Sequence, residues 1–125
     1  LDDYAELAIA HEDLAPLLDA LPASTRALIP PKFSMVQLCG KTTSKADAIA
    51  HLLAQRGLSF SSVAAIGDDV NDIEMLHCAH IGIAVDNALD EVKAAADWVT
   101  DAANADGVAA AIERLLDQAE LVQPL

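Results

Sequence analysis

Val63-Ala64-Ala65-Ile66-Gly67-Asp68-Asp69-Val70-Asn71-Asp72-Ile73-Glu74-Met75-Leu76 is the stretch on which the fold turns. An apolar run of small and β-branched residues ends at Gly67. Three carboxylates and an Asn follow within five positions, and apolar periodicity resumes at Ile73. The order reads as strand, acidic loop, helix. In an open parallel sheet the ligand crevice lies outside the carboxyl ends of the strands, so acids just after a buried strand stand where chemistry is usually done. Hard oxygen ligands at such a point suit Mg²⁺, which takes one or two carboxylates with water and substrate phosphate. The same acids also suit a solvated turn in which Asp68 or Asp69 merely caps the next helix. The stretch by itself leaves both readings open.

Downstream, Ile81-Gly82-Ile83-Ala84-Val85 is a short apolar run fit for a strand buried on both faces. Asp86-Asn87 turns the chain into a helix over residues 88–95. Trp98-Val99 is a last strand candidate, with Trp98 most simply a packing residue. A closing helix is expected over 105–119, with Val108, Ile112, Leu115 and Leu116 on one face. Upstream, Ser44 is a good N-cap, Ala46, Ile49, Leu52 and Leu53 recur at helical spacing, and Gly57 is placed as the stop. Lys45 then opens that helix, at the wrong end for the macrodipole, a small penalty that is easier to understand if the ammonium has an anion to hold. Its other reading is a solvated surface lysine. Residues 33–39 have strand character. From there on, strand and helix alternate, which implies a parallel, three-layer α/β sheet.

Residues 1–40 are the least informative third. Residues 4–10 and 12–21 look helix-prone, with Pro16 tolerable only in a first turn. Pro30-Pro31 interrupts whatever Arg26 begins. The chain starts without Met, as expected of a processed, truncated or incompletely represented product.

Composition narrows the function classes. An apolar fraction of 54% over 125 residues suffices for one core, built from aliphatic side chains because aromatics are 3%. Seven basic against twenty acidic residues give a formal charge of −13, which repels nucleic acid and anionic membrane. Cys39 and Cys78 are too few for a disulfide framework, so a reduced, cytoplasmic setting is expected. No apolar run approaches the roughly 18 to 20 residues of a membrane span.

Ser44-Lys45, the run 67–76, Ile83-Ala84-Val85-Asp86-Asn87-Ala88 and Asp106-Gly107-Val108-Ala109 together resemble the C-terminal half of a haloacid dehalogenase-superfamily phosphatase, specifically its Cof-like branch. The resemblance implies a Rossmann-like core and Mg²⁺-dependent hydrolysis of small phosphomonoesters such as sugar phosphates. It makes Lys45 the motif lysine that steadies nucleophile and phosphoryl group, and Asp68 an acidic metal ligand. Asp72 becomes a second ligand or an acceptor for metal-bound water, Asn71 a polar contact near the phosphate, and Asp69 a solvated residue. The chemistry agrees, since phosphoryl transfer needs positive charge on the equatorial oxygens.

The family's Asp-x-Asp nucleophile motif, which follows an N-terminal strand, has no counterpart here. Asp2-Asp3 lacks a preceding strand, and Asp13 and Asp19 sit in helical pattern. The expected organisation is therefore an incomplete core: residues 1–40 the end of an α/β cap, residues 41–125 the C-terminal half of the core. The strand ending at Ile66 would then offer an unpaired edge to the missing N-terminal segment, a partner chain or a second copy.

Other classes fit less well. A noncatalytic metal-binding or assembly domain of the same fold would bind Mg²⁺ without turnover. A receiver-type signalling domain would carry its lysine after the acidic cluster, not before it. A Ca²⁺ loop starting at Asp68 has Ile73 where Gly is needed and Ala79 where Glu is needed. His77, Cys78 and His80 lack a second ligand pair for zinc, so a core cysteine flanked by ordinary histidines is expected.

Overall fold

The computed structural model of the chain describes residues 4–31 and 34–121. Its elements are β1 (Tyr4–Ala8), α1 (His11–Ala20), β2 (Thr25–Leu28), β3 (Met35–Gly40), α2 (Lys45–Gln55), β4 (Ala64–Gly67), α3 (Ile73–Cys78), β5 (Ile81–Val85), α4 (Asp90–Ala95), β6 (Trp98–Thr100) and α5 (Gly107–Leu121). They build two three-stranded sheets, an antiparallel one in the order β1-β3-β2 and a parallel one in the order β4-β5-β6.

The parallel sheet follows from the sequence pattern. Each strand is a short apolar run and each connection carries a helix, the arrangement that parallel pairing requires. In β5, Ile83 and Ala84 are fully buried and Val85 nearly so. Ala65 of β4, Leu76 of α3 and Val92 of α4 complete a core that Ile66, Ile73 and Met75 border. β4 pairs with β5 through Ala64↔Ile81 to Gly67↔Ala84, and β5 with β6 through Ile83↔Trp98 to Val85↔Thr100. Among the described residues no strand lies on the other side of β4. The Ser44 hydroxyl caps α2 by accepting from the Asp47 N–H at 3.0 Å. That helix stops before Gly57, whose φ of 66° is left-handed.

Several expectations need correction. Residues 4–8 form a strand, not a helix, because Tyr4↔Cys39 to Ala8↔Met35 pair antiparallel with β3. Five residues hold no stable helix alone, and the sheet partner decides. Strand β3 is likewise not the first strand of the parallel sheet; it is the centre of the antiparallel one, and Phe33 lies outside the described residues. Pro16 is the sixth residue of α1, beyond the first turn. Both Pro16 and Glu12 are exposed, so water can satisfy the carbonyl that the missing N–H leaves open.

Helix α5 is rolled relative to its apolar pattern. Val108, Ile112 and Leu116 are 45%, 47% and 59% exposed, while Gly107 and Ala111 face inward. A Cβ at Gly107 would run into the Asp101 carbonyl. The close approach at the helix start therefore requires glycine and sets which side turns in.

Candidate active site

Strand β4 ends at Gly67 and delivers Asp68, Asp69 and the 3₁₀ turn Val70–Asp72 at its carboxyl end. Asp69 is a cap here, not a solvated bystander. Its Oδ1 accepts from the Val70 N–H at 2.7 Å, and it forms a reciprocal capping box with Asp72. Asp72 is 4% exposed. Its Oδ2 accepts the backbone N–H groups of Asp68 at 3.0 Å and Asp69 at 3.2 Å. Such an approach is open only because residue 67 has no side chain: a Cβ there would lie 2.5 Å from the Asp72 Cβ.

The other carboxylate oxygen of Asp72 holds Lys45. The ammonium donates to Asp72 Oδ1 at 2.5 Å and to Asn71 Oδ1 at 3.4 Å. Burial pushes the Asp72 carboxyl up, but the Lys45 bond and the two backbone N–H groups outweigh it and hold the group below the usual carboxylate range. The anion that compensates for a lysine in the first turn of α2 is thus internal. An ammonium carries three donors, and the Lys45 side chain is 49% exposed, so it can still offer an N–H to an oxyanion from solution. Asp68 is exposed, and its carboxylate makes no hydrogen bond or ion pair among the described residues.

Sequence reasoning missed Arg26 and Glu74. From β2, Arg26 Nη1 donates to Glu74 Oε1 at 2.9 Å and Nη2 donates to the Thr43 carbonyl at 2.6 Å. The Ser44 hydroxyl and then Arg26 hold the Glu74 carboxyl below its usual range against a smaller opposing effect of burial. A cavity of about 290 Å³ opens beside these groups, lined by Arg26, Gln37, Thr43, Ser44, Lys45 and Asn71 among others. Nothing local in the sequence marks the Arg26–Glu74 pair, whose members are 48 positions apart.

Among the described residues no group of three or more His, Cys, Asp or Glu converges to hold a metal. Cys78 is exposed at the end of α3, not in the core, and Cys39 is the buried thiol. Trp98 packs under Arg114, whose guanidinium lies 4.0 Å from the ring centroid. No helix among the described residues is long and apolar enough to cross a membrane.

Fold and site together define a Rossmann-like α/β protein with a lysine–carboxylate pair and a free carboxylate at the carboxyl edge of its parallel sheet. The chain belongs to the haloacid dehalogenase-like hydrolase family, whose model matches residues 6–112, and within it to the Cof-like branch. A phosphoglycolate phosphatase of Methanoculleus marisnigri is 45% identical over 71 residues, 57% of this chain and 30% of that protein. A haloacid dehalogenase-like hydrolase from Bacteroides thetaiotaomicron superposes with a TM-score of 0.76 at 32% identity, over 90% of this chain and 44% of that one. A subclass IIB sugar phosphatase of the superfamily superposes with a TM-score of 0.79 at 27% identity, over 90% of this chain and 43% of its own. The chain thus spans less than half the length of each of these three proteins.

Proposed function

We propose that the chain carries the lysine and metal-binding half of a Mg²⁺-dependent phosphomonoesterase working in a reduced, cytoplasmic setting on small phosphorylated metabolites. The observation that carries this reading is the Lys45 ammonium, fixed between Asp72 and Asn71 past the end of β4, the strand that the exposed Asp68 directly follows. Lys45 holds an oxygen of the substrate phosphate. The Asn71 carbonyl faces Lys45, which leaves its amide N–H groups to donate to another.

The donor set fits Mg²⁺. One exposed carboxylate, Asp68, with Asp72 as second ligand or acceptor for bound water, matches the one or two carboxylates that this ion takes beside water and phosphate. When bound, the ion supplies positive charge at the transferring phosphoryl oxygens. Asp72 has a second task, keeping Lys45 charged and aimed.

The nucleophilic Asp comes, on this reading, from a strand that pairs with the open edge of β4, whether from an N-terminal segment, a partner chain or a second copy. Residues 1–40 are read as the end of a cap and residues 41–125 as the C-terminal half of the core. The phosphoglycolate and sugar phosphatases among its relatives make those two ester classes the first substrates to try.

The test is phosphate release from phosphoglycolate, a panel of sugar phosphates and a generic aryl phosphate, by this chain alone and with the N-terminal part of a family member added. Turnover that needs Mg²⁺ and disappears in Asp68→Asn and Lys45→Ala supports the proposal. Mg²⁺ binding without turnover in either format overturns it in favour of a noncatalytic domain of the same fold.

A further inference from the structure

We infer that Arg26 is a positioning residue for the Lys45 ammonium, a role that rests on reading Lys45 as the phosphate-binding cation. Arg26 lies in β2 opposite Cys39 of β3, and its guanidinium, beside the Cys39 side chain, also reaches two acceptors outside the strands. One arm reaches Glu74 Oε1 at 2.9 Å and the other the Thr43 carbonyl at 2.6 Å. Thr43 immediately precedes Ser44, the cap of α2, and Lys45 is the first residue of that helix. Glu74 is in the first turn of α3, two residues beyond Asp72. One planar group therefore fastens the start of the helix carrying Lys45 to the start of the helix that follows Asp72.

The fastening is built at both ends. The Thr43 N–H donates to the Gly40 carbonyl at 3.0 Å, and the Lys41 N–H donates to the Ser24 carbonyl at 2.7 Å. The turn that presents the Thr43 carbonyl is thus tied to the same antiparallel sheet that carries Arg26. The Lys45 bonds to Asp72 and Asn71 form a second tie across the same two segments. The two acceptors of Arg26 are met by separate arms of a rigid planar fork, whereas a lysine at position 26 would have to serve both from a single nitrogen. Misplacement of a binding group by about 1 Å can cost about a hundredfold in rate, so a clamp that sets the α2–α3 spacing bears directly on what Lys45 can hold.

The experiment uses the ¹⁵N-labelled 125-residue chain. Its readouts are the ¹H–¹⁵N signal of the Lys45 ammonium, which persists while the bond to the Asp72 carboxylate slows exchange of the ammonium protons with water, and titration with inorganic phosphate followed at the Asn71 side-chain amide. Arg26→Gln is expected to lose the ammonium signal and to weaken phosphate binding about tenfold, with partial rescue in Arg26→Lys. Glu74→Ala removes one acceptor at a side chain that is 53% exposed, so it keeps the test valid if Arg26→Gln does not fold. Loss in Arg26→Gln alone still supports the inference, through the Thr43 arm.

An unchanged ammonium signal and unchanged phosphate affinity in both variants overturns it, as does loss in Glu74→Ala alone or a wild-type spectrum with no Lys45 ammonium signal. If the wild type binds no phosphate but Arg26→Gln still loses the ammonium signal, the phosphate reading of Lys45 fails and the positioning role stands.

Discussion

Residues 4–40 and residues 64–100 each supply three strands, but the larger buried cluster belongs to the second set; among the described strand residues of the first, burial is confined to Val36, Gln37 and Cys39 of β3. In β5 four of the five residues are buried, whereas every residue of β2 is half-buried and Ala5 to Ala8 of β1 are exposed. The cause is topological. Parallel pairing forces a crossover after each strand, and α3 and α4 are laid against the sheet as a result. The antiparallel sheet needs no such cover, and its one helix, α1, buries no residue. Stability is therefore concentrated where the strands are parallel. The antiparallel sheet contributes instead side chains at the site, with Arg26, Gln37 and Cys39 lining the cavity beside Lys45.

The largest expected effect tests that contrast directly. Leu76, 1% exposed between α3 and the parallel sheet, should cost about 3 kcal/mol when cut to Ala. Leu7 of β1, 42% exposed, should cost under about 1 kcal/mol for the same change. Urea unfolding of the two variants decides it, and equal losses would break the comparison.

Gly67→Ala comes next, at about 2 kcal/mol. The new Cβ would meet Asp72 at 2.5 Å, so either β4 or the 3₁₀ turn must move. The same variant should lose the Lys45–Asp72 bond, which separates it from an ordinary core defect of similar cost.

The pH dependence sharpens the contrast further. Asp72 has a folded value below its unfolded one, so between the two the unfolded chain binds more protons and stability rises with pH. Its contribution is complete above the ordinary carboxylate range and is lost as pH falls through that range toward the lowered folded value. Glu74 has the same sign. Denaturant midpoints followed down through the acid range should fall for the wild type and fall less steeply for Asp72→Asn. Identical slopes would mean that the buried carboxylate is not the acid-sensitive group.

What could be read from the sequence divides along the same line. Asp68, Asn71 and Asp72 stood out because a strand end, a loop and a helix start are contiguous there, and Lys45 because a cap and an apolar period fix its place. The structure brings Lys45, Asn71 and Asp72 into one hydrogen-bonded group and sets Asp68 at the end of β4. Arg26 and Glu74 were invisible because their bond spans two elements and neither has a local pattern. Tyr4-Ala5-Glu6-Leu7-Ala8 was misread because its composition favours a helix and only pairing with β3 makes it a strand. In α5 the period was right and the orientation was not, since a glycine contact, not the apolar stripe, selects the inward side.

The smallest effect concerns the far edge of the parallel sheet. Arg114 of α5 lies over the Trp98 ring at 4.0 Å, and both border an open cavity of about 500 Å³ that also takes in Asp86 and Asp101. A guanidinium on an indole face at a largely exposed site contributes about 0.5 to 1 kcal/mol. Arg114→Gln should therefore lower stability by no more than that, and Arg114→Lys by less. The change should also alter Trp98 fluorescence, since this is the chain's one tryptophan. The lever is informative because α5 has few other inward anchors besides Gly107 and Ala111. A loss well above 1 kcal/mol would mean that the cation pins α5 to β6, making the edge of the parallel sheet depend on a surface contact and narrowing the gap between the two sheets.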